Sequence, residues 1–406
     1  MLRFLPTSYA ARNLGRSPTR LMLSVGGAAL VAILSMAGAG FAIGMSNALR
    51  ASGYERNVVL LGAGSEESVE RSEITPSSAG VVAASLSGIA TLDGRPLASP
   101  EINVALSVVL RSGDSATHSA SDAADHIGLV RGITPVAFIV HPQARLVAGR
   151  APQPGANEVA LGASAARSAG INPDALATML TDTGSGGPEV IVDTRPFRVV
   201  GLIRAPGTVI DGETWMPLSD ALVLTQRETI SAVIITLIPD ASASDVADFA
   251  QRRIDLELSA ISEPAYYASQ SAFYRPVRIM VLASSVLVAL GALLGGLNTM
   301  YAAFASRVRE IGMLQVLGFT RSAVVFSLLQ ESLIASMTGT LVAVIIAILF
   351  LDGIAIQFSM GTFGIKIDEF VVAIGLVTGL FVGAAGCVVP AIRCLRLPLP
   401  SALKSD

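Results

Sequence analysis

Four long runs of apolar residues, each free of charge, divide this chain. They are Leu21–Leu49, Ile279–Ser306, Ser332–Leu351 and Phe370–Ile392, all rich in Leu, Val, Ile, Ala and Gly. A hydrocarbon core is crossed by about 20 apolar residues in a helix, so each run predicts a transmembrane helix. Stretches such as GGAAL and GALLGGLNTM supply small residues where helices can approach closely. Between the first and second runs the pattern changes. Short β-like runs follow one another between turns: NVVLLG, NVALSVVL, VAFIV, EVIVD, FRVVGLI and AVIITLI. Helical patterns, NEVALGASAARSAG and DVADFAQRRIDLELSAI, interrupt them, and SGDSATHSASDAAD reads as a flexible loop. The pattern predicts an α-helical membrane protein with four transmembrane helices. A large α+β domain of two small lobes lies between the first and second.

Composition supports this division. The 406 residues are 52% hydrophobic and 15% charged, against about 25% charged in ordinary soluble domains. The mean hydropathy is +0.62. Residues 51–274 hold 25 Asp and Glu against 14 Arg, a net charge of −11. So acidic an insert excludes nucleic-acid binding, which needs clustered basic charge. Basic residues set the orientation. Arg3, Arg12, Arg16 and Arg20 precede the first run; Arg307, Arg309 and Arg321 flank the short loop after the second; Arg393, Arg396 and Lys404 follow the fourth. The loop between the third and fourth runs carries Asp352, Asp368 and Glu369 against Lys366. The positive-inside rule then places both termini and the short loop in the cytoplasm, and the insert outside. Arg275 and Arg278 oppose the rule, but long domains translocate regardless of such charges.

The resulting division is a cytoplasmic amphipathic segment (1–20), transmembrane helix 1 (21–49), the extracytoplasmic domain (50–275), helix 2 (276–306), a cytoplasmic coupling segment (307–321), helix 3 (322–351), an extracytoplasmic loop (352–369), helix 4 (370–392) and a cytoplasmic tail (393–406). MAGAGFA offers small residues for signal cleavage, yet the apolar run far exceeds a signal h-region of about 7–15 residues. An uncleaved anchor is expected. Before it, LRFLPTSYAARNL can lie on the inner membrane surface with Arg12 and Arg16 toward lipid headgroups.

Sites for catalysis are scarce. The chain has two lysines, Lys366 and Lys404, and no phosphate-binding GxxxxGK[ST] loop; HExxH, CxxC and GxSxG are also missing. Cys387 and Cys394, seven residues apart, would lie roughly 10 Å apart on a helix, beyond disulfide reach, and read as packing residues. His118 and His126 bracket Asp122 and Asp125, which reads as a solvated loop before a metal site, and His141 lies further on. Two polar residues stand out, one beside an apolar run and one within it. Glu331 is an ionisable group at membrane depth, hence a functional candidate unless it snorkels or bonds to neighbouring helices. Asn298 is read as glue between helices.

One stretch asks for a partner. In AFASRVREIGMLQVLGFTRSAV, residues 303–324, Val308, Ile311 and Leu314 recur on one helical face, and Arg307 and Glu310 can pair three residues apart. Gly318 permits a reversal and Thr320 can cap the helix that follows. A plain hairpin needs no such face, whereas a segment docking in a groove needs apolar surface and orienting charge.

REIGMLQVLGFTRS, with Glu331 beyond it, resembles the C-terminal module of the FtsX-like permeases of ABC transporters, of MacB type. PAIRCLRLPLPSAL near the C-terminus and SYAARNLGRSPTR near the N-terminus are similar to that family's tail and inner-surface helix. Val130–Gly170, with GRxPxPGxNE at Gly149–Glu158, and Arg195–Ala221 resemble its outer-domain core. The resemblance implies a permease that binds no cofactor of its own and uses ATP and Mg²⁺ held by a separate ABC ATPase, present in two copies. It also implies a second permease copy or a paralogue, a periplasmic adaptor, and the bacterial inner membrane. Val308, Ile311, Gly312, Leu314 and Phe319 would form the docking face, Arg307, Arg309 and Glu310 would orient it, and Gly318 would be the hinge. ATP-driven closure would move helix 2 and rearrange the outer domain, exporting an antibiotic, lipid, lipoprotein or peptide. The alternative is an FtsX-style transmitter that activates an outer enzyme such as a cell-wall hydrolase. A membrane-anchored sensor without an ATPase is disfavoured, since it needs no docking segment.

Overall fold

The computed structural model describes residues 18–111, 127–182, 186–305, 308–358 and 361–395. Each charge-free run is part of a helix. Helix α1 is Pro18–Ser52; α2, Glu263–Phe273, leads through Tyr274 into α3, Arg275–Ala305; α4 is Val308–Val316, α5 Arg321–Ile346 and α6 Glu369–Leu395. Among the described residues, α1, α3, α5 with its extension to Leu351, and α6 are long and apolar enough to cross a membrane. At 1.5 Å per residue, α1 is about 50 Å long and α3 about 45 Å, so both outlast a hydrocarbon core of roughly 30 Å.

The chain forms two compact units. One takes Gly44–Arg275 together with Ala355–Gly364, and the other takes the helical remainder. In the helical unit α5 and α6 pack through small residues. Ser332 Oγ donates to the Gly383 carbonyl at 2.7 Å, and a Cβ on Gly383 would collide with Ser336 Oγ. Cys387 is fully buried in a cluster with Met300, Val324, Leu328 and Ala391.

The other unit is built on one mixed sheet. Its strands are β1 (Asn57–Gly62), β4 (Ala98–Leu110), β5 (Ile127–Ile133), β6 (Arg145–Gly149), β7 (Glu158–Gly162), β8 (Glu189–Val192), β9 (Arg195–Arg204), β10 (Glu213–Pro217), β11 (Ala232–Thr236) and β12 (Leu258–Ser262). The order is β12-β1-β11-β4-β5-β10-β7-β9-β6, with β8 bridging β4 and β9. β2 (Thr91–Leu92) and β3 (Arg95–Pro96) form a small ribbon, as do β13 (Ala355–Phe358) and β14 (Gly361–Gly364). The two expected lobes are therefore one continuous sheet. β4 joins them: Ala98–Glu101 pair with β11, Ile102–Ser107 with β5 and Val108–Leu110 with β8. Separate hydrophobic clusters remain on either side of it, one around Leu161, Leu176 and Leu202, another around Leu60, Val82 and Ile235.

Three local readings are corrected. VAFIV is not a strand; Ala137–Val140 form a single helical turn that buries Ala137 and Val140 three residues apart. A short apolar run fits either state, and here Pro135 and the tight packing beside Trp215 decide. In NEVALGASAARSAG the first half is strand β7, and only Ala163–Ser168 are helical. In DVADFAQRRIDLELSAI the helix Ala243–Arg252 stops, and Leu258–Ser262 pair with β1 as an edge strand. Within 352–369 the described residues include the strands β13 and β14. The hairpin β13–β14 packs on the sheet unit, at Val209–Gly212 and β5. The amphipathic segment up to residue 17, the His118/His126 loop, Arg307 and the tail from residue 396 lie outside the described residues.

Candidate functional site

The turn from α4 into α5 has the local form that its residues predict. Gly318 sits at φ +92°, a conformation that costs a side chain but not glycine. Its N–H donates to the Gln315 carbonyl at 3.1 Å, and that of Leu317 to Met313 at 3.0 Å, so α4 closes on its own last turn. Thr320 Oγ1 accepts from the Ala323 N–H at 3.3 Å and caps α5. Val308, Arg309, Glu310, Ile311, Gly312 and Leu314 lie on α4, with Arg309 and Glu310 exposed and Gly312 buried. Phe319 is half-buried and packs on the Met300–Leu328–Cys387 cluster, so its ring anchors the reversal. Met313, Val316 and Leu317, which sequence reasoning passed over, carry the exposed apolar surface. Asn298 is exposed on α3. Glu331 is 2% exposed, on the buried face of α5 with Ser327 and Ser332.

The sheet unit holds a second constellation that sequence reasoning missed. Side chains alternate across a strand, so Glu101 and Asn103 of β4, Leu129 and Arg131 of β5, and Glu213 and Trp215 of β10 share one face. The register pairs Arg131 with Asn103 on one side and with Trp215 on the other. Glu101 and Glu213 are its diagonal neighbours, a spacing long side chains bridge. The guanidinium does so. Nε and Nη2 donate to Glu213 at 2.7 and 2.6 Å, and Nη1 donates to Glu101 at 2.6 Å. Trp215 Nε1 also donates to Glu213, at 2.7 Å.

From there the network reaches both crossings of the chain. His141 Nε2 is 2.9 Å from Glu101, and its Nδ1 is 3.6 Å from Glu263, the first residue of α2. Glu263 Oε2 accepts from the Tyr54 N–H at 2.8 Å and from Asn57 Nδ2 at 3.0 Å, just past the end of α1. Gly53 lies against Pro264; an added Cβ would stand 2.8 Å from its Cα. Ser52 completes the knot, with Oγ accepting from the Val209 N–H at 2.8 Å and its carbonyl from Gln143 Nε2 at 2.6 Å. The residues that end α1 and those that begin the path to α3 are thus fastened together and to the middle of the sheet.

Electrostatics agree with this geometry. Burial raises the Glu101 carboxyl, but His141 and Arg131 outweigh it and hold the group at about 2. Burial depresses the His141 imidazole, yet Glu101 and then Glu263 keep it above its usual range. Burial pushes the Glu263 carboxyl up, partly offset by His141. The constellation fastens β4, β5 and β10 to the end of α1 and the start of α2. The signal that could have found it is charge inside strand-like runs: Arg131 in GLVRGI, Glu213 in ETWMP and Glu101 ahead of INVALSVVL.

The family described as MacB-like periplasmic core domain matches residues 19–252, more than half of the chain, and that described as FtsX-like permease C-terminal matches residues 282–399. No curated protein matches. Among solved structures, the periplasmic region of MacB from Actinobacillus actinomycetemcomitans is 17% identical, with 53% of this chain and 92% of that one covered and a TM-score of 0.37. The extracellular domain of the noncanonic ABC-type transporter YknZ from Gram-positive bacteria is 12% identical, at 50% and 99% coverage and a TM-score of 0.35. A permease-protein domain from Porphyromonas gingivalis is 14% identical, at 51% and 88% coverage and a TM-score of 0.33.

Proposed function

This chain belongs to the family of FtsX-like, MacB-type ABC transporter permeases, and from that premise we propose that it is the membrane subunit through which a separate ATPase moves an extracytoplasmic domain. The observation that carries this reading is the hairpin β13–β14. It connects the third and fourth long helices, yet it belongs to the same compact unit as the domain between the first and second. Two segments that fold together lie on one side of a bilayer. With four crossings, the segment around α4 then lies on the other side, where the arginine pattern expects cytoplasm. α4 and its exposed Met313, Val316 and Leu317 dock on the ATPase, with Arg309 and Glu310 setting the angle. Two such chains, or this chain and a paralogue, each engage one ATPase subunit that holds the ATP and Mg²⁺.

Movement of α3 reaches the domain through α2 and Glu263, and the knot at Gly53 passes it to the end of α1. The cargo is an antibiotic, lipid, lipoprotein or peptide released on the outer side. Co-purification with the ATPase tests the docking. Val316→Asp with Leu317→Asp, and separately Glu310→Lys with Leu314→Asp, lower the recovered ATPase about tenfold or more while membrane insertion is kept, as expected when apolar anchors leave an interface. Unchanged recovery for both variants contradicts the docking role.

A further inference from the structure

Beneath α2, the polar face of the sheet encloses a cavity of about 40 Å³. Roughly 10–15 Å³ admits one water-sized group, so a small ion with a water or two fits. Three of the residues that line it present buried oxygens without a hydrogen-bond partner: Glu70 Oε1, Asn103 Oδ1 and Gln270 Oε1. They come from a short turn after β1, from β4 and from α2. Asn103 and Gln270 are 1% and 2% exposed. Gln270 is held in orientation, because its Nε2 donates to the Glu67 carbonyl at 2.6 Å and leaves the oxygen unmatched. Buried polar atoms are almost always satisfied, so three orphans of one kind at one cavity point to a ligand.

We propose that this cavity binds a monovalent alkali cation, held by Glu70, Asn103 and Gln270. All three offer acceptors, and hard cations take oxygen ligands. Among the described residues no group of three or more His, Cys, Asp or Glu is arranged for a metal ion. One carboxylate with two amide oxygens suits a single charge better than a divalent ion. The local charge asks for it too. Glu101, Glu213 and Glu263 face one guanidinium, of Arg131, and one imidazole, of His141, while Glu70 faces the guanidinium of Arg71. Even with the imidazole charged, four carboxylates meet three cations, and the cluster is short of one positive charge. Arg131 also lines the cavity, but its three nitrogens are directed to Glu213 and Glu101.

The chain has one tryptophan, Trp215, bonded to Glu213 within the same network, so its fluorescence reports on this region. The full chain in detergent is unfolded thermally in sodium chloride, potassium chloride or choline chloride at matched ionic strength. Sodium or potassium is expected to give a saturable rise of roughly 5 °C over choline. Gln270→Met and Asn103→Leu abolish the rise, and Gln270→Glu moves its midpoint to lower salt; native Trp215 emission establishes that each variant is folded. An equal rise in choline chloride overturns the proposal. So does an alkali-specific rise that survives in folded Gln270→Met or Asn103→Leu, or whose midpoint is unmoved in Gln270→Glu.

Discussion

Arg131 shows what one charge does inside a sheet. It is 4% exposed and is the shared partner of Glu101 and Glu213, both fully buried. Removing one partner of a buried ion pair leaves an uncompensated charge, at a cost of about 3–5 kcal/mol. Arg131→Met is therefore expected to lower the unfolding free energy by at least about 3 kcal/mol, read by Trp215 fluorescence, whereas Arg150→Met, at the half-exposed pair with Glu158, costs about 1 kcal/mol or less. His141 makes the same network depend on pH. Its raised folded pKa means that its contribution is full below the ordinary 6.5 and is lost as pH rises through the folded value. The contribution of Glu101 is present above its ordinary 4.5 and is lost as pH falls toward about 2. The contribution of Glu263, raised by burial, is full below its ordinary 4.5 and is lost as pH rises through the folded value. Stability is thus expected to peak in mildly acid solution, and His141→Gln should shrink the decline above pH 6.5. An undiminished decline in that variant would place the titration elsewhere.

Among elements, the decisive one is α2, a helix of 11 residues between the sheet and α3. Its first residue holds the end of α1, and Pro264 takes up the space beside Gly53 that a side chain would need. Gly53→Val should therefore part the two crossings. The expected result is normal recovery of the ATPase with ATP hydrolysis that no longer responds to the domain, plus a drop in unfolding temperature. Wild-type coupling in that variant would remove Gly53 from the account. Elements also show what the residues disclose in advance. A charge-free run of twenty or more residues has no alternative to a buried or membrane helix, so α1, α3, α5 and α6 were legible, as were β1, β8, β9 and β11 from their β-branched runs. VAFIV was not, because four or five apolar residues suit a turn of helix equally well. The reversal at Gly318 and the cap at Thr320 were legible because each acts within three residues. The buried network was not, since Asn57 and Glu263 meet across 206 positions and each of its acids looks, alone, like a surface charge.

At the scale of the molecule, the proposed function rests on one arrangement, with the domain and the hairpin on one side of the lipid and α4 on the other. Polar residues flanking apolar helices suggested it, and the co-folding of β13–β14 with the domain supports it from independent residues. The direct measurement is labelling of intact cells by a membrane-impermeant thiol reagent, in a background of Cys387→Ala and Cys394→Ser. Ile254→Cys, at a domain position 81% exposed, and Val316→Cys, at the end of α4 and 66% exposed, are compared. The account predicts that Ile254→Cys is labelled from outside and that Val316→Cys is labelled only after the membrane is opened. Labelling of Val316→Cys in intact cells would contradict it.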